Sequence, residues 1–295
     1  MNDKWSNLGN LLAWPQKKLA RRRAKYWVAR GEHRLRQGAT EEAWRCSRRA
    51  LSLCEHLTTA HVLMAKALFP GDDYLTIIAH LHDRLKPQTY VEIGVAAGAS
   101  LACARPLTKV IGIEPRPCIS IPVPSRAKLY PTASDDFFAS YDVFHELGEP
   151  RLALAFIDGS HLFDQALKDF ANIEKYADAR TIVLVHDCLP ITRLVAARER
   201  VTEFWCGDVW KLLPCLGAYR PDLTVHTIPT WPSGLAVIRN LNPNSTVIGD
   251  NFTQIISQYQ HLELDYAYLA PDGLNAPNMI PNNWQRLCDT IFQSA

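Results

Sequence analysis

The sequence predicts a three-layer α/β fold, a mostly parallel β-sheet with helices on both faces, preceded by a purely helical segment. Three observations carry this. From Tyr74 to Arg239, short β-branched runs alternate with amphipathic stretches, the pattern of covered parallel strands and their crossover helices. The last two β-rich runs lie too close for a helical crossover and read as an antiparallel hairpin. Residues 14–68 show helical periodicity and no strand signal.

The helical segment comes first, and residues 1–70 form a unit of their own in this reading. Gly31 and Gly38 are its expected breaks; the first helix ends at Gly38, and Thr40 caps the second with Glu41 and Glu42 in its first turn. Ala43, Ala50 and Leu51 supply a packing face, and a third helix runs from Thr58 to Phe69. Residues 25–70 resemble one tetratricopeptide repeat and the start of another. A single repeat cannot bury its own face, so the segment is expected to pack on the next domain or on a second copy, giving a homo-oligomer.

Five parallel strands follow in the reading: Tyr90 to Ile93, Val110 to Glu114, Ala127 to Tyr130, Leu152 to Asp158 and Thr181 to His186. Phe163, Ala166, Leu167, Phe170 and Ile173 recur at helical spacing between the last two, which predicts a crossover helix there. Leu223 to Ile228 and Leu235 to Arg239 form the hairpin around residues 230–234. The sheet domain spans 71–245. Beyond the turn-rich NLNPNS, residues 246–295 read as an appended extension with a polar helix near Phe252 to His261 and a tail containing Pro271, Pro277 and Pro281.

Composition bounds the function. The 295 residues are 47% hydrophobic and 21% charged, an ordinary globular balance. No apolar run approaches the ~18 to 20 residues of a membrane span, and the opening residues lack a secretion signal, so the expected compartment is cytoplasmic. Eight cysteines without a CxxC pair or zinc spacing read as reduced thiols. Residues 1–50 hold 13 basic and 4 acidic residues, leaving 19 and 26 in the remainder. The run Lys17 to Lys25 follows Trp5, Leu8, Leu11, Leu12 and Trp14; a solvated helix face is the favoured reading, ahead of peripheral membrane contact. Nucleic acid is disfavoured, because the body is acidic and no nucleic-acid motif accompanies the run.

The chemistry concentrates at strand ends. Tyr90 to Leu101 runs from a strand ending in Glu92 through Gly94, Ala96 and Gly98 into a helix, so backbone amides can approach a nucleotide-like ligand closely. Its Glu-x-Gly-x-x-x-Gly order differs from the GxGxxG of nicotinamide sites. A second strand ends in Glu114, spaced to receive a ribose diol. The third leads to Ser134 and Asp135, the fourth to Asp158, Gly159, Ser160 and His161, and the fifth to His186 and Asp187.

These five strand-end motifs, in this order, resemble class I S-adenosylmethionine (SAM)-dependent methyltransferases over roughly residues 74–240. The Asp-Gly-x-His and His-Asp pair is similar to a subgroup of small-molecule O-methyltransferases. The resemblance implies a Rossmann-like sheet of order 3-2-1-4-5-7-6 with strand 7 antiparallel. It implies SAM on Glu92, Gly94, Ala96, Gly98, Glu114, Ser134, Asp135 and Asp158. Ala96 stands where the family has a middle glycine, and Asp178-Ala179-Arg180 replaces its usual Gly-Gly before the fifth strand.

Methyl transfer to a hydroxyl needs an in-line nucleophile and removal of its proton. His161 is the candidate general base, with Asp158 and His186 beside it in the catalytic set. A divalent cation, Mg2+ or Mn2+, held by Asp158, His186 and Asp187, is the other route to the same end. The region Arg193 to Arg220 corresponds to the family's acceptor cover, and Trp205, Asp208, Trp210 and Lys211 form its expected aromatic wall and polar anchors, unless the tryptophans are core. The competing reading is a catalytically inactive scaffold that binds partners through its helical segment.

Overall fold

The computed structural model describes residues 6–264 and 278–292, with side chains from residue 16 onward. It opens with α1 (Ser6–Arg36), α2 (Thr40–Leu51) and α3 (Thr58–Leu68), which pack on one another. Their shared core is built from small residues, Ala24, Ala43, Ala50, Ala60 and Ala67, filled in by Val28 and Leu63. Gly31 is not a break. It lies inside α1, where an added Cβ would come within 2.4 Å of Leu63 and 2.9 Å of Cys46, so it is the point of closest helix approach. Thr40 is likewise not the cap: it is the first residue of α2, Ala39 holds the cap position, and no side chain bonds the free amides.

The other side of α3 explains where the segment's unburied face goes. Met64, Ala65 and Phe69 pack against Leu189, Ile191, Val195 and Cys206 of the body. The helical segment therefore docks on its own chain.

The body begins with α4 (Tyr74–Leu85), whose N-terminus is capped by the Asp73 carboxylate accepting from the Thr76 amide at 2.8 Å. Then follow β1 (Thr89–Ile93), β2 (Lys109–Ile113), β3 (Ala127–Tyr130), α5 (Ser134–Ser140), α6 (Val143–Leu147) and β4 (Leu154–Ile157). After these come α7 (Phe163–Glu174), β5 (Ile182–His186), α8 (Leu212–Tyr219), β6 (Thr224–Ile228) and β7 (Leu235–Arg239). The strands form one sheet of order β3-β2-β1-β4-β5-β7-β6, with β7 antiparallel to both its neighbours and the other pairs parallel.

Alternation along the strands divides the interior into two cores. Val91, Ile93, Ile111, Ala155, Ile157, Val183 and Val185 face α5 to α8, while Tyr90, Val110, Leu154, Phe156, Ile182 and Leu184 face α4. Two last helices complete these layers. α9 (Val247–Tyr259) adds Ile248, Ile255 and Tyr259 to the first core, and α10 (Trp284–Phe292) adds Leu287 and Ile291 to the second. Residues 246–264 and 278–292 thus share the body's cores; Pro271 and Pro277 lie outside the described residues. The expected polar helix begins at Val247, five residues before Phe252, and the tail beyond Pro281 forms α10. Where the Gly-Gly turn was missing, the Asp178 carboxylate accepts from the Arg180 and Thr181 amides and makes the turn itself.

Candidate active site

The carboxyl ends of β1, β2, β4 and β5 meet at one edge of the sheet, which open α/β sheets use for ligands. Gly94 ends β1 with φ 93°, and a Cβ there would lie 1.9 Å from the Asp158 carbonyl oxygen, so only glycine fits where the two strand ends converge. Ala96 takes φ 44° in the turn, and its amide donates to the Glu114 carboxylate at 3.2 Å. The Arg116 amide donates to the other Glu114 oxygen at 2.9 Å. Glu114 is thereby fixed beside the glycine turn, only partly buried, with lone pairs to spare.

Glu92 behaves differently. It is fully buried, and its two oxygens accept from the Tyr90 hydroxyl at 2.7 Å and the Ser100 hydroxyl at 2.6 Å. Burial raises its pKa to about 8, the two hydroxyls only partly opposing the shift. Its contacts hold the turn from beneath. Ser134 and Asp135 open α5, and both accept from Gln165 of α7, at 3.1 and 2.9 Å; Asp135 also pairs with Lys168.

The densest polar group lies at the ends of β4 and β5. His161 Nδ1 is 2.7 Å from Asp187 Oδ2, a close ion contact without the alignment of a hydrogen bond, and 3.2 Å from the Trp205 carbonyl. Its Nε2 is 3.7 Å from Asp158 Oδ1. His186 Nδ1 lies 3.2 Å from the same Asp158 oxygen, and Ser233 donates to the other Asp187 oxygen. Burial alone would lower the His161 pKa, but Asp187 and then Asp158 outweigh it and raise the value to about 9. His186 is raised by the same two carboxylates against the same opposing burial. Backbone strain gathers here as well: His161 and Asp187 have φ of 59° and 62°.

Asp158, His161 and Asp187 each offer a ligand atom within 4.8 Å of the others. The cation set expected from the sequence thus gains His161, while His186 stands behind Asp158 with its ring stacked on Tyr74 at 4.1 Å. The cavity these residues line measures about 10 Å3, the size for one water or ion.

Of the expected acceptor wall, only Trp205 reaches this cluster with its side chain, while the Asp208 amide donates to the His161 carbonyl at 3.2 Å. The Trp205 ring lies parallel to His161 at 5.3 Å, held by its indole donating to the Ala197 carbonyl at 2.6 Å. Asp208 and Lys211 are buried and paired at 3.2 Å; Asp208 also accepts from the Phe163 amide at 2.8 Å and so caps α7. Trp210 is buried in a core with Ala196 and Leu264. All three side chains are buried, and Lys211 spends a further bond on the Gln260 carbonyl at 2.8 Å, as a buried charge requires.

Sequence reasoning missed four contributors. Tyr74 stacks on His186, Ser233 bonds Asp187, Ser100 bonds Glu92, and Gly207, at φ 62°, brings its backbone so close to the His161 carbonyl that no Cβ fits. Ser100 stood in the glycine motif and was legible there as a hydroxyl eight residues from Glu92. The other three come from remote segments and carry no local pattern.

Residues 91–188, from β1 to just past β5, match the family described as "Methyltransferase domain". The match takes in the strand ends that bear Glu92, Glu114, Asp158 and His186. Among solved structures, this chain is similar to the O-methyltransferase TomG from Streptomyces achromogenes, in complex with SAM. The two are 15% identical with a TM-score of 0.43, over 57% of this chain and 79% of that one. An O-methyltransferase from Bacillus cereus in complex with SAH is 12% identical, TM-score 0.42, over 60% and 86%. The SAH-bound Podospora anserina methyltransferase PaMTH1 is 14% identical, TM-score 0.42, over 82% and 98%. No curated protein sequence matches the chain.

Proposed function

We propose that this protein transfers a methyl group from SAM to an oxygen of a small molecule, at the carboxyl edge of β1, β4 and β5. The observation that carries the reading is the convergence of Asp158, His161 and Asp187 next to the strained glycine turn that Glu114 closes. The turn suits the cofactor: positive φ at Gly94 and Gly98 keeps Cβ atoms out of the backbone's path, and the Glu114 carboxylate retains acceptor sites for a ribose diol. Ser134 and Asp135, at the third strand end, belong to the adenine side in this reading. Glu92 supports the turn from within.

At the cluster, Asp187 lies against His161 and Trp205 covers its ring face; this arrangement supports the imidazole as the group that takes a proton from an acceptor hydroxyl. The same atoms fit a divalent cation, with two carboxylate oxygens for Mg2+ or Mn2+ and an imidazole nitrogen that biases the choice toward Mn2+. Such a cation would bind the acceptor oxygen and lower its pKa.

Calorimetric titration with SAM, S-adenosylhomocysteine and NAD, with and without Mg2+ or Mn2+, tests the cofactor; heat from NAD alone would overturn the reading. Formation of S-adenosylhomocysteine over a panel of hydroxylated acceptors then separates the two routes. With a cation, chelation abolishes turnover while cofactor affinity persists. With His161 acting alone, chelation changes nothing, His161→Ala lowers turnover by roughly 10² to 10⁴, and the rate climbs with pH toward about 9, where the imidazole loses its proton.

A further inference from the structure

We infer that the exposed face of α1 is a docking surface for an anionic phospholipid bilayer, on which the protein sits peripherally. This stands independently of the catalytic reading. α1 packs on α2 and α3 through Ala24, Val28 and Gly31. At about 100° per residue, Tyr26 is turned about 200° from Ala24 and Leu19 about 140° to the other side of the same comparison, so both stand on the opposite face. They are 57% and 61% exposed for Leu19 and Tyr26 respectively, one heptad apart. In sequence, Leu12 continues the same seven-residue spacing toward the N-terminus.

Charge decides what covers this stripe. Between Ser6 and Gly31 the sequence holds seven basic residues and no acidic one. Among the described residues, Arg21, Arg22, Arg23 and Lys25 are exposed and none of the four forms an ion pair. A narrow apolar stripe flanked by long cationic side chains matches the interface of a bilayer, where Leu and Tyr enter the headgroup boundary and Lys and Arg reach the phosphates. A second copy of the chain is a poor occupant, since a twofold contact would bring the same positive charges against each other. A nucleic acid would satisfy the charge yet leave Leu19 and Tyr26 without an apolar partner. No helix among the described residues is long and apolar enough to cross a membrane, so the contact is superficial.

The test is co-sedimentation of the full chain with vesicles of phosphatidylcholine alone or with about a third phosphatidylserine. Binding is expected only to the anionic vesicles, and it should fall steeply as salt shortens the Debye length to a few Å. Replacing Arg21, Arg22 and Arg23 together by Gln should weaken it ~100-fold, at about fivefold per cation. Leu19→Ser with Tyr26→Ser should weaken it about tenfold or more at unchanged charge. All five positions are exposed, so the melting temperature should not move. Any of three results would overturn the inference: no preference for anionic vesicles, indifference of binding to the Leu19 and Tyr26 replacements, or a vesicle-free dimer in sedimentation velocity that those replacements dissociate. Tighter binding to an RNA homopolymer than to the vesicles would likewise reassign the surface.

Discussion

Glu92 is a carboxyl that the fold protonates. Its pKa rises from 4.5 to about 8 because burial outweighs the hydrogen bonds from Ser100 and Tyr90, with Asp158 adding to the rise. The folded state therefore keeps a proton that the unfolded chain releases between those values. The group's contribution is complete below about 4.5 and is lost as pH climbs through about 8. Glu92→Gln removes this titration, so the variant should gain on the parent by a few kcal/mol, as an order of magnitude, between pH 5 and pH 8.5. Urea unfolding midpoints at both pH values check it, and parallel profiles would refute the buried ionisation. Glu114 is the counterpart that faces outward. Glu114→Ala should lose charge-assisted bonds of about 1.5 to 3 kcal/mol, or about 10- to 150-fold in SAM affinity. Glu114→Gln, which can keep one of the two amide contacts, should lose less. Calorimetry on the pair distinguishes a ribose contact from a general loosening of the turn.

At the scale of elements, the ends of α7 and α8 are tied by one buried fork. Arg220 donates to both Glu174 oxygens, at 2.5 and 2.8 Å, and also pairs with Asp222, while the Asn242 amide donates to Glu174. Arg220→Ala leaves the Glu174 carboxylate buried without its cation, which typically costs about 3 to 5 kcal/mol. Chemical denaturation should show a loss of that size. α7 itself was legible because five apolar residues recur at helical spacing, and all five are buried. α10 carries the same signal, with Trp284, Leu287, Cys288, Ile291 and Phe292 at helical spacing, but it spans only nine residues behind a run of prolines, and only the structure shows which sheet face it covers. Gly31 shows the opposite failure, a residue read as a break that tertiary contact had selected for close helix packing.

Across the whole molecule, the helical segment grips the loop that covers the candidate site. His61 of α3 stacks on Phe204 at 5.9 Å, and the next residue, Trp205, stacks on His161. Thr58 donates to Glu203 at 2.8 Å, and Lys66 lies over Trp231 in the β6–β7 loop. Deleting residues 1–70 uncovers Leu189, Ile191, Val195 and Cys206 together. The truncated chain should therefore aggregate or lose solubility, and limited proteolysis should cut first within residues 189–206. A soluble truncation with an uncut loop and unchanged melting temperature would show that the helices only ride on the body.

The sequence by itself determined the strands, their succession and the residues at their carboxyl ends, because β-branched runs and glycine turns are local statements about backbone conformation. The seven strand positions, the antiparallel β7 and the meeting of Asp158, His161, His186 and Asp187 at one edge all followed from that pattern together with the family resemblance. Only the tertiary structure decided how those residues divide their work. It turned Glu92 inward and left Glu114 facing the turn; it placed His161 rather than His186 among the three mutually close ligand atoms; and it buried the side chains of Asp208, Trp210 and Lys211. The physical reason is that orientation depends on which atoms a side chain must satisfy once water is removed, and those partners, such as Ser233, Phe163 and Gln260, come from segments far away along the chain.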